Sequence, residues 1–141
     1  MKKQSIETIE LELAIMVRRI TSATSDKKYS NLDRSAYLLL FHISTQGSAG
    51  VKALAEEFHL DISTASRQAA ALEQKGYVFK TPDPLDGRAY SLQLTELGAQ
   101  ELAAYRQARF ERITTMLGDW TDEESRQFGQ LLRKFNRSLR S

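Results

Sequence analysis

Both prolines of the chain, Pro82 and Pro84, fall in one eight-residue segment, Pro82-Asp83-Pro84-Leu85-Asp86-Gly87-Arg88-Ala89. Before it, Tyr77-Val78-Phe79-Lys80-Thr81 has the β-branched and aromatic composition of a strand; after it, Tyr90-Ser91-Leu92-Gln93-Leu94 alternates apolar and polar residues. Asp86-Gly87 is a strong turn signal, so the segment reads as a hairpin with an extended, partly stiffened tip. Gly76 stands directly before the first strand, where a left-handed glycine can close a helix. A fold for this chain must therefore pass from a helix straight into a two-stranded hairpin.

The residues on either side are helical in pattern. Val51–Phe58 and Ile62–Lys75 read as two short helices separated by His59-Leu60-Asp61, with Asp61 or Ser63 available as the cap of the second. Ahead of them, Ala36–Ile43 is apolar nearly all round, the pattern of a helix surrounded by protein, and Asp33 can cap its start. Gly47-Ser48-Ala49-Gly50 reads as a small-residue connector. A first helix carries Ile6, Ile9, Leu13, Met16, Val17 and Ile20 at three- and four-residue intervals. The polar stretch Thr21–Asn31 interrupts it. After the hairpin, Thr95 caps a long helix bearing Leu102, Tyr105, Ile113 and Met116, which Gly118 ends. Thr121-Asp122-Glu123-Glu124 has the spacing of a capping box and opens a last helix striped with Phe128, Leu131, Leu132, Phe135 and Leu139. No internal repeat or low-complexity segment is found.

With 141 residues, 41% hydrophobic and 27% charged, the chain suits one compact domain. It contains no cysteine, which removes thiol catalysis, thiolate metal sites and cysteine redox sensing, and fits a reducing cytosol. Met1-Lys2-Lys3 is not followed by the apolar stretch of a secretory signal. The longest apolar run, Ala36–Phe41, is far short of the roughly 18 residues of a membrane span. The expectation is a soluble, cytoplasmic protein with no membrane partner. Net charge is only +2, and residues 50–98 carry five basic against seven acidic side chains. Any nucleic-acid surface there must gather its cations on one face.

Helix, helix, helix and hairpin, in that order from Ala36 to Leu94, make the arrangement of a winged helix-turn-helix, in which the second helix of the pair lies in the DNA major groove. The expected fold class is mainly α with a small β-hairpin wing. The start of that second helix carries Ser63, Thr64, Ser66, Arg67 and Gln68, which can address base edges and phosphates at short range. Ile62, Ala65, Ala69 and Leu72 are expected to pack inward. For an isolated helix, Ser and Thr as caps and a solvated Arg67 would explain the same residues; a charged hairpin tip directly after the helix favours the DNA reading. Arg88 would then enter a minor groove, held extended by Asp86. Lys52, Lys75 and Lys80 add cations. With four per protomer reaching the duplex, a dimer would show a slope of log K against log[salt] of about −7.

The chain resembles the MarR family of transcription regulators over nearly its whole length. The most specific part is Asp83-Pro84-Leu85-Asp86-Gly87-Arg88-Ala89 followed by Leu92-Gln93-Leu94-Thr95-Glu96-Leu97-Gly98, similar to the family's wing and the helix behind it; Leu72-Glu73-Gln74-Lys75-Gly76-Tyr77-Val78 is similar to its recognition-helix exit. Gly87 stands where many relatives carry a basic residue. The resemblance implies one domain over 1–141, with a DNA-binding lobe at 33–98, dimerisation helices at 1–32 and 99–141, and a repressor of a pseudo-palindromic operator. It also implies a pocket for a small hydrophobic or phenolic effector, which Tyr37, Phe41 and His42 could line, although core packing also explains these three. Independently, the stripes of the first and last helices are more than a small protomer can bury, so Ile6, Ile9, Leu13, Phe128, Leu132, Phe135 and Leu139 are assigned to a homodimer interface.

Other chemistry has less support. Of the two histidines, His59 has only Glu56 at a metal-like spacing, and His42 sits on an apolar helix. No metal and no cofactor are expected. No nucleophile elbow and no Gly-rich phosphate loop precede a helix, so no enzyme activity is expected. The alternatives that stay open are a winged-helix module for protein–protein interaction, which the slightly acidic middle segment favours, and an activator in place of a repressor.

Overall fold

The computed structural model describes residues 1–22, 32–83 and 88–139, with Thr21 and Ser22 described by their backbone. Most of the Thr21–Asn31 interruption and the hairpin tip with Asp86 and Gly87 lie outside the described residues. The elements are α1 (Lys2–Ser22), α2 (Arg34–Gln46), β1 (Ala49–Gly50), α3 (Val51–Phe58), α4 (Ile62–Gln74), β2 (Val78–Pro82), β3 (Tyr90–Leu94), α5 (Glu96–Met116) and α6 (Asp122–Ser138). They fall into two compact units, Met1–Arg106 and Gln107–Ser141.

In the first unit, Asp33 adopts extended backbone and its carboxylate accepts a hydrogen bond from the Ala36 amide at 2.8 Å, starting α2 as expected. Leu39, Leu40 and Ile43 go into the core against β1 and β3. The expectation of a helix covered on every side is not met. Leu38 and Phe41 are exposed, because only the face carrying residues 39, 40 and 43 meets the sheet.

The expected connector also differs: Ala49–Gly50 forms β1, antiparallel to β3 with Ala49 opposite Leu92 and Gly50 opposite Ser91. Two small residues carry no alternation to announce a strand. They pair because β3 offers them a free edge, completing a sheet in the order β1-β3-β2. On the other side of β3 the register runs from Val78 opposite Leu94 to Pro82 opposite Tyr90, and the Asp83 amide donates to Ala89 O at 3.1 Å. β2 is an edge strand, which is where a proline such as Pro82 costs the ladder nothing.

α3 ends at His59, which takes the left-handed conformation (φ 53°, ψ 48°) and donates its amide to Ala55 O. Asp61 occupies the N-cap position of α4 without a side-chain cap bond. Ala65, Ala69 and Leu72 are buried as expected, but Ile62 is 58% exposed and does not pack inward. At about 100° per residue it stands at the edge of the inward stripe, and its Cβ leans toward the N-terminus, past the helix end.

A compact junction fixes the hairpin base to the exit of α4. Gly76 adopts φ 82°, and the Tyr77 amide donates to Leu72 O at 3.0 Å. Thr95 donates its amide to Tyr77 O at 3.0 Å and its hydroxyl to Gly76 O at 2.5 Å, and its Oγ1 accepts from the Gly98 amide at 3.0 Å. One threonine thus caps α5 and ties it to the turn after α4. Gly98 is required here, since a Cβ on it would overlap the Tyr77 carbonyl.

The unit's core is Leu32, Leu40, Ile43, Leu54 and Leu92, all 1% exposed or less, with Leu102 and Tyr105 from α5. Each leucine of that set contributes about 1.5–3 kcal/mol by leaving water. α1 leaves Ile6 and Ile9 exposed and Leu13 half-buried.

In the second unit, the Gly118 amide donates to Thr115 O at 3.3 Å as α5 ends. Thr121 and Glu124 then form the expected capping box, Thr121 Oγ1 accepting from the Glu124 amide at 3.1 Å and Glu124 Oε1 from the Thr121 amide at 2.9 Å. Trp120 meets Phe128 edge-on at 5.3 Å between ring centroids. No residue of α6 is buried: Phe128, Leu131, Leu132 and Leu139 are exposed and Phe135 is half-buried.

Candidate nucleic-acid interface

The left-handed His59 sets this interface, because it turns the chain sharply enough for α4 to begin after only three intervening residues, His59 to Asp61. Two backbone bonds hold the turn, Leu60 N to Ala55 O and Ala65 N to Asp61 O, both 2.9 Å. α4 is then anchored from below by Ala65, Ala69 and Leu72, and its opposite face meets solvent.

Of the five polar residues assigned to base and phosphate contact, Ser63 and Arg67 are exposed, while Thr64, Ser66 and Gln68 are half-buried. Ser63 and Arg67 lie four apart and share the outward face. Arg67 donates from Nη2 to Thr64 Oγ1 at 3.2 Å, so the hydroxyl steadies the guanidinium at the surface. Ser66 and Gln68 flank this centre on opposite sides, about 200° apart around the axis. One flat contact surface cannot use both equally. Lys52 is exposed on the first turn of α3.

On the hairpin, Arg88 is exposed where the chain re-enters the ladder. Its pairing with Asp86 lies outside the described residues. Lys80, counted with the cations above, is engaged elsewhere: its Nζ is 3.6 Å from Glu73 Oε1 on α4 and 4.5 Å from the Tyr90 ring centroid on β3. An exposed ion pair of this kind is worth little energy, but with the cation–π contact it braces β2 between α4 and β3. Lysine on a strand gives no sign in the sequence of its partners; only the fold, which places Glu73 and Tyr90 around Lys80, does.

The three residues offered for an effector pocket separate into two environments. Tyr37 stacks on Tyr105 at 4.4 Å and lies 6.0 Å from Phe41, whose exposed ring carries the Arg106 guanidinium at 4.6 Å. His42 instead meets Phe58 of α3 edge-on at 5.7 Å. Tyr37 and Phe41 stay together and His42 faces the helix-turn-helix, because it is one residue, about 100°, further round α2. Tyr105 and Arg106 were not assigned to this site from the sequence; their spacing on α5 reads as ordinary helix.

Burial keeps the Tyr77 hydroxyl protonated to a higher pH than usual, and Glu101 adds to that. Among the described residues no group of three or more His, Asp or Glu side chains is placed to hold a metal ion. No described helix is long and apolar enough to cross a membrane.

The profile of the MarR family matches residues 32–90, which covers α2 through the start of β3. The uncharacterised HTH-type transcriptional regulator YxaD of Bacillus subtilis (strain 168) is 47% identical over 135 residues, covering 95% of this chain and 94% of its own. Among solved structures, a MarR family protein from Bacillus stearothermophilus superposes with a TM-score of 0.82 at 18% identity, over 99% of this chain and 98% of that one. The PcaV transcriptional regulator from Streptomyces coelicolor, solved in complex with its natural ligand, gives 0.72 at 21% identity over 91% and 92%. At those identities the two structures show the shared fold, and the B. subtilis relative shows the kinship. The chain belongs to the MarR family and is a winged helix-turn-helix, DNA-binding transcriptional regulator.

Proposed function

We propose that this regulator works as a cytoplasmic homodimeric repressor that clasps a pseudo-palindromic duplex, one α4 in the major groove of each half-site about 34 Å apart. The observation that carries the reading is the outward face of α4, where exposed Ser63 and Arg67 stand on a helix anchored by buried alanines and a leucine and braced to the hairpin through Lys80. Thr64, Ser66 and Gln68 flank that face, Lys52 supports it from α3, and Arg88 with Asp86 addresses a minor groove. A second copy covers the apolar faces of Ile6, Ile9 and Leu13 on α1, and those of Phe128, Leu132, Phe135 and Leu139 on α6. Four of the cations Lys52, Arg67, Lys75, Lys80 and Arg88 reach the duplex in each protomer, and the expected salt slope is about −7.

Release by a small hydrophobic or phenolic effector is supported by the aromatic surface of Tyr37 and Phe41 beside Arg106, and by a neighbour solved with its natural ligand. Such a ligand acts only if it binds unequally to two dimer geometries that differ in α4 spacing. The reaction needs no cofactor and no catalysis.

The test is selection from a random duplex pool at about 0.15 M salt, which suppresses non-specific phosphate binding. Enrichment of a two-fold symmetric site with half-sites one turn apart supports the reading. A folded protein that is monomeric at micromolar concentration, or that enriches nothing, overturns it.

A further inference from the structure

α4 carries two large apolar side chains, and they have opposite fates: Leu72 is 3% exposed and Ile62 is 58% exposed. Ile62 sits in the first turn beside exposed Ser63, and four residues before Ser66 on the same flank. It neither caps the helix nor fills the core. The first turn of a helix inserted in the major groove is the part that reaches base edges. Those edges present hydrogen-bonding groups on every base pair, and one apolar feature, the 5-methyl group of thymine. A branched aliphatic chain has nothing to offer a donor or acceptor, and complements that methyl.

We propose that Ile62 reads a thymine methyl in each half-site and so sets a base preference that the polar residues of α4 do not. This rests on the placement of α4 in the major groove proposed above. Ser63 and Arg67 supply hydrogen bonds; Ile62 supplies discrimination by packing, penalising any base whose edge at that position is polar and bare.

The experiment uses the duplex enriched from the random pool by the full-length protein, with the thymines of one half-site replaced singly by uracil. That exchange deletes the methyl and leaves every hydrogen-bonding group in place. At one position the wild-type protein is expected to lose affinity about fourfold, the effect of one buried methyl-sized group. Ile62→Ala is expected to bind the thymine and uracil duplexes equally, and Ile62→Val to keep a reduced preference. Because Ile62 is exposed in the protomer, thermal melts of both variants should follow the wild type closely. A wild-type protein indifferent to uracil at every position overturns the role of Ile62 while leaving DNA recognition by α4 intact. A thymine preference that persists undiminished in Ile62→Ala does the same. Enrichment of no duplex overturns both readings together.

Discussion

In α4 the stripe Ala65, Ala69 and Leu72 is at most 3% exposed, whereas in α6 Phe128, Leu131 and Leu132, and Leu139 at its C-cap, all face solvent and no residue of the helix is buried. Both helices are amphipathic in sequence. The first has its apolar face packed against α3 and β2 of its own chain, so its position is fixed before any partner arrives. The second is held as a helix by local effects, namely the Thr121–Glu124 capping box and the Glu123–Arg126 pair, and Phe128, Leu131 and Leu132 on its apolar face are exposed among the described residues. The lobe should therefore owe its stability to its own core, and α6 to whatever second surface removes its stripe from water.

Gly98→Ala should break the lobe side of this comparison most severely. The new Cβ would overlap the Tyr77 carbonyl, so the start of α5 must move away from the turn that holds the hairpin to α4. A loss of about 3 kcal/mol or more is expected in denaturant unfolding. A change under about 1 kcal/mol would show that the junction is looser than described. Next in size, Leu132→Glu should leave the lobe folded and convert the dimer to monomer at micromolar concentration, read by sedimentation. A dimer that survives this charge would place the interface elsewhere than α6.

The lobe was legible in the sequence because its signals are local and agree: Asp33 caps α2, Gly76 closes α4, Pro82 lies at the hairpin edge, and Thr95 caps α5. Three features were not. β1 is two small residues whose strand character comes only from the partner edge of β3. Ile62 falls within the apolar pattern of α4, and its exposure depends on where α3 ends and the side chain leans. Lys80 owes its role to Glu73 and Tyr90, seven and ten residues away. For β1 and Lys80 the missing information is a contact with another element, which periodicity along one element does not carry; for Ile62 it is the position of the helix end. The left-handed turn at His59 had no glycine to mark it.

Arg67→Ala tests what the fixed lobe is for. If the guanidinium reads a base, affinity should fall by about 1–3 kcal/mol, with relaxed specificity at one position per half-site. The proposed dimer should be untouched, since Arg67 lies on α4 and the interface is proposed on α1 and α6. An equal loss on every duplex would assign Arg67 to phosphate. Arg88→Ala should weaken binding with the dimer likewise intact, and unchanged affinity would remove the hairpin from recognition.

The smallest effects separate the two regions by pH. In the lobe, burial and the Glu101 charge raise the Tyr77 hydroxyl above its ordinary value. A raised folded value means that stability present below about pH 10, the unfolded tyrosine value, is lost as pH rises through the folded one. In α6 the sign is reversed. The Arg126 guanidinium, helped by Gln127, holds the Glu123 carboxyl below its ordinary range against a smaller opposing effect of burial. Its contribution is present above the unfolded glutamate value and disappears as pH falls through the lower folded one. The Glu123–Arg126 pair is exposed, so salt screens it. Glu123→Gln should flatten the acid limb of a stability profile slightly at low salt and not at about 1 M salt. Tyr77→Phe should flatten the alkaline limb, and should do so at either salt, because the dominant cause there is burial. If both substitutions act on the same limb, the two regions do not hold their charges in the separate ways described.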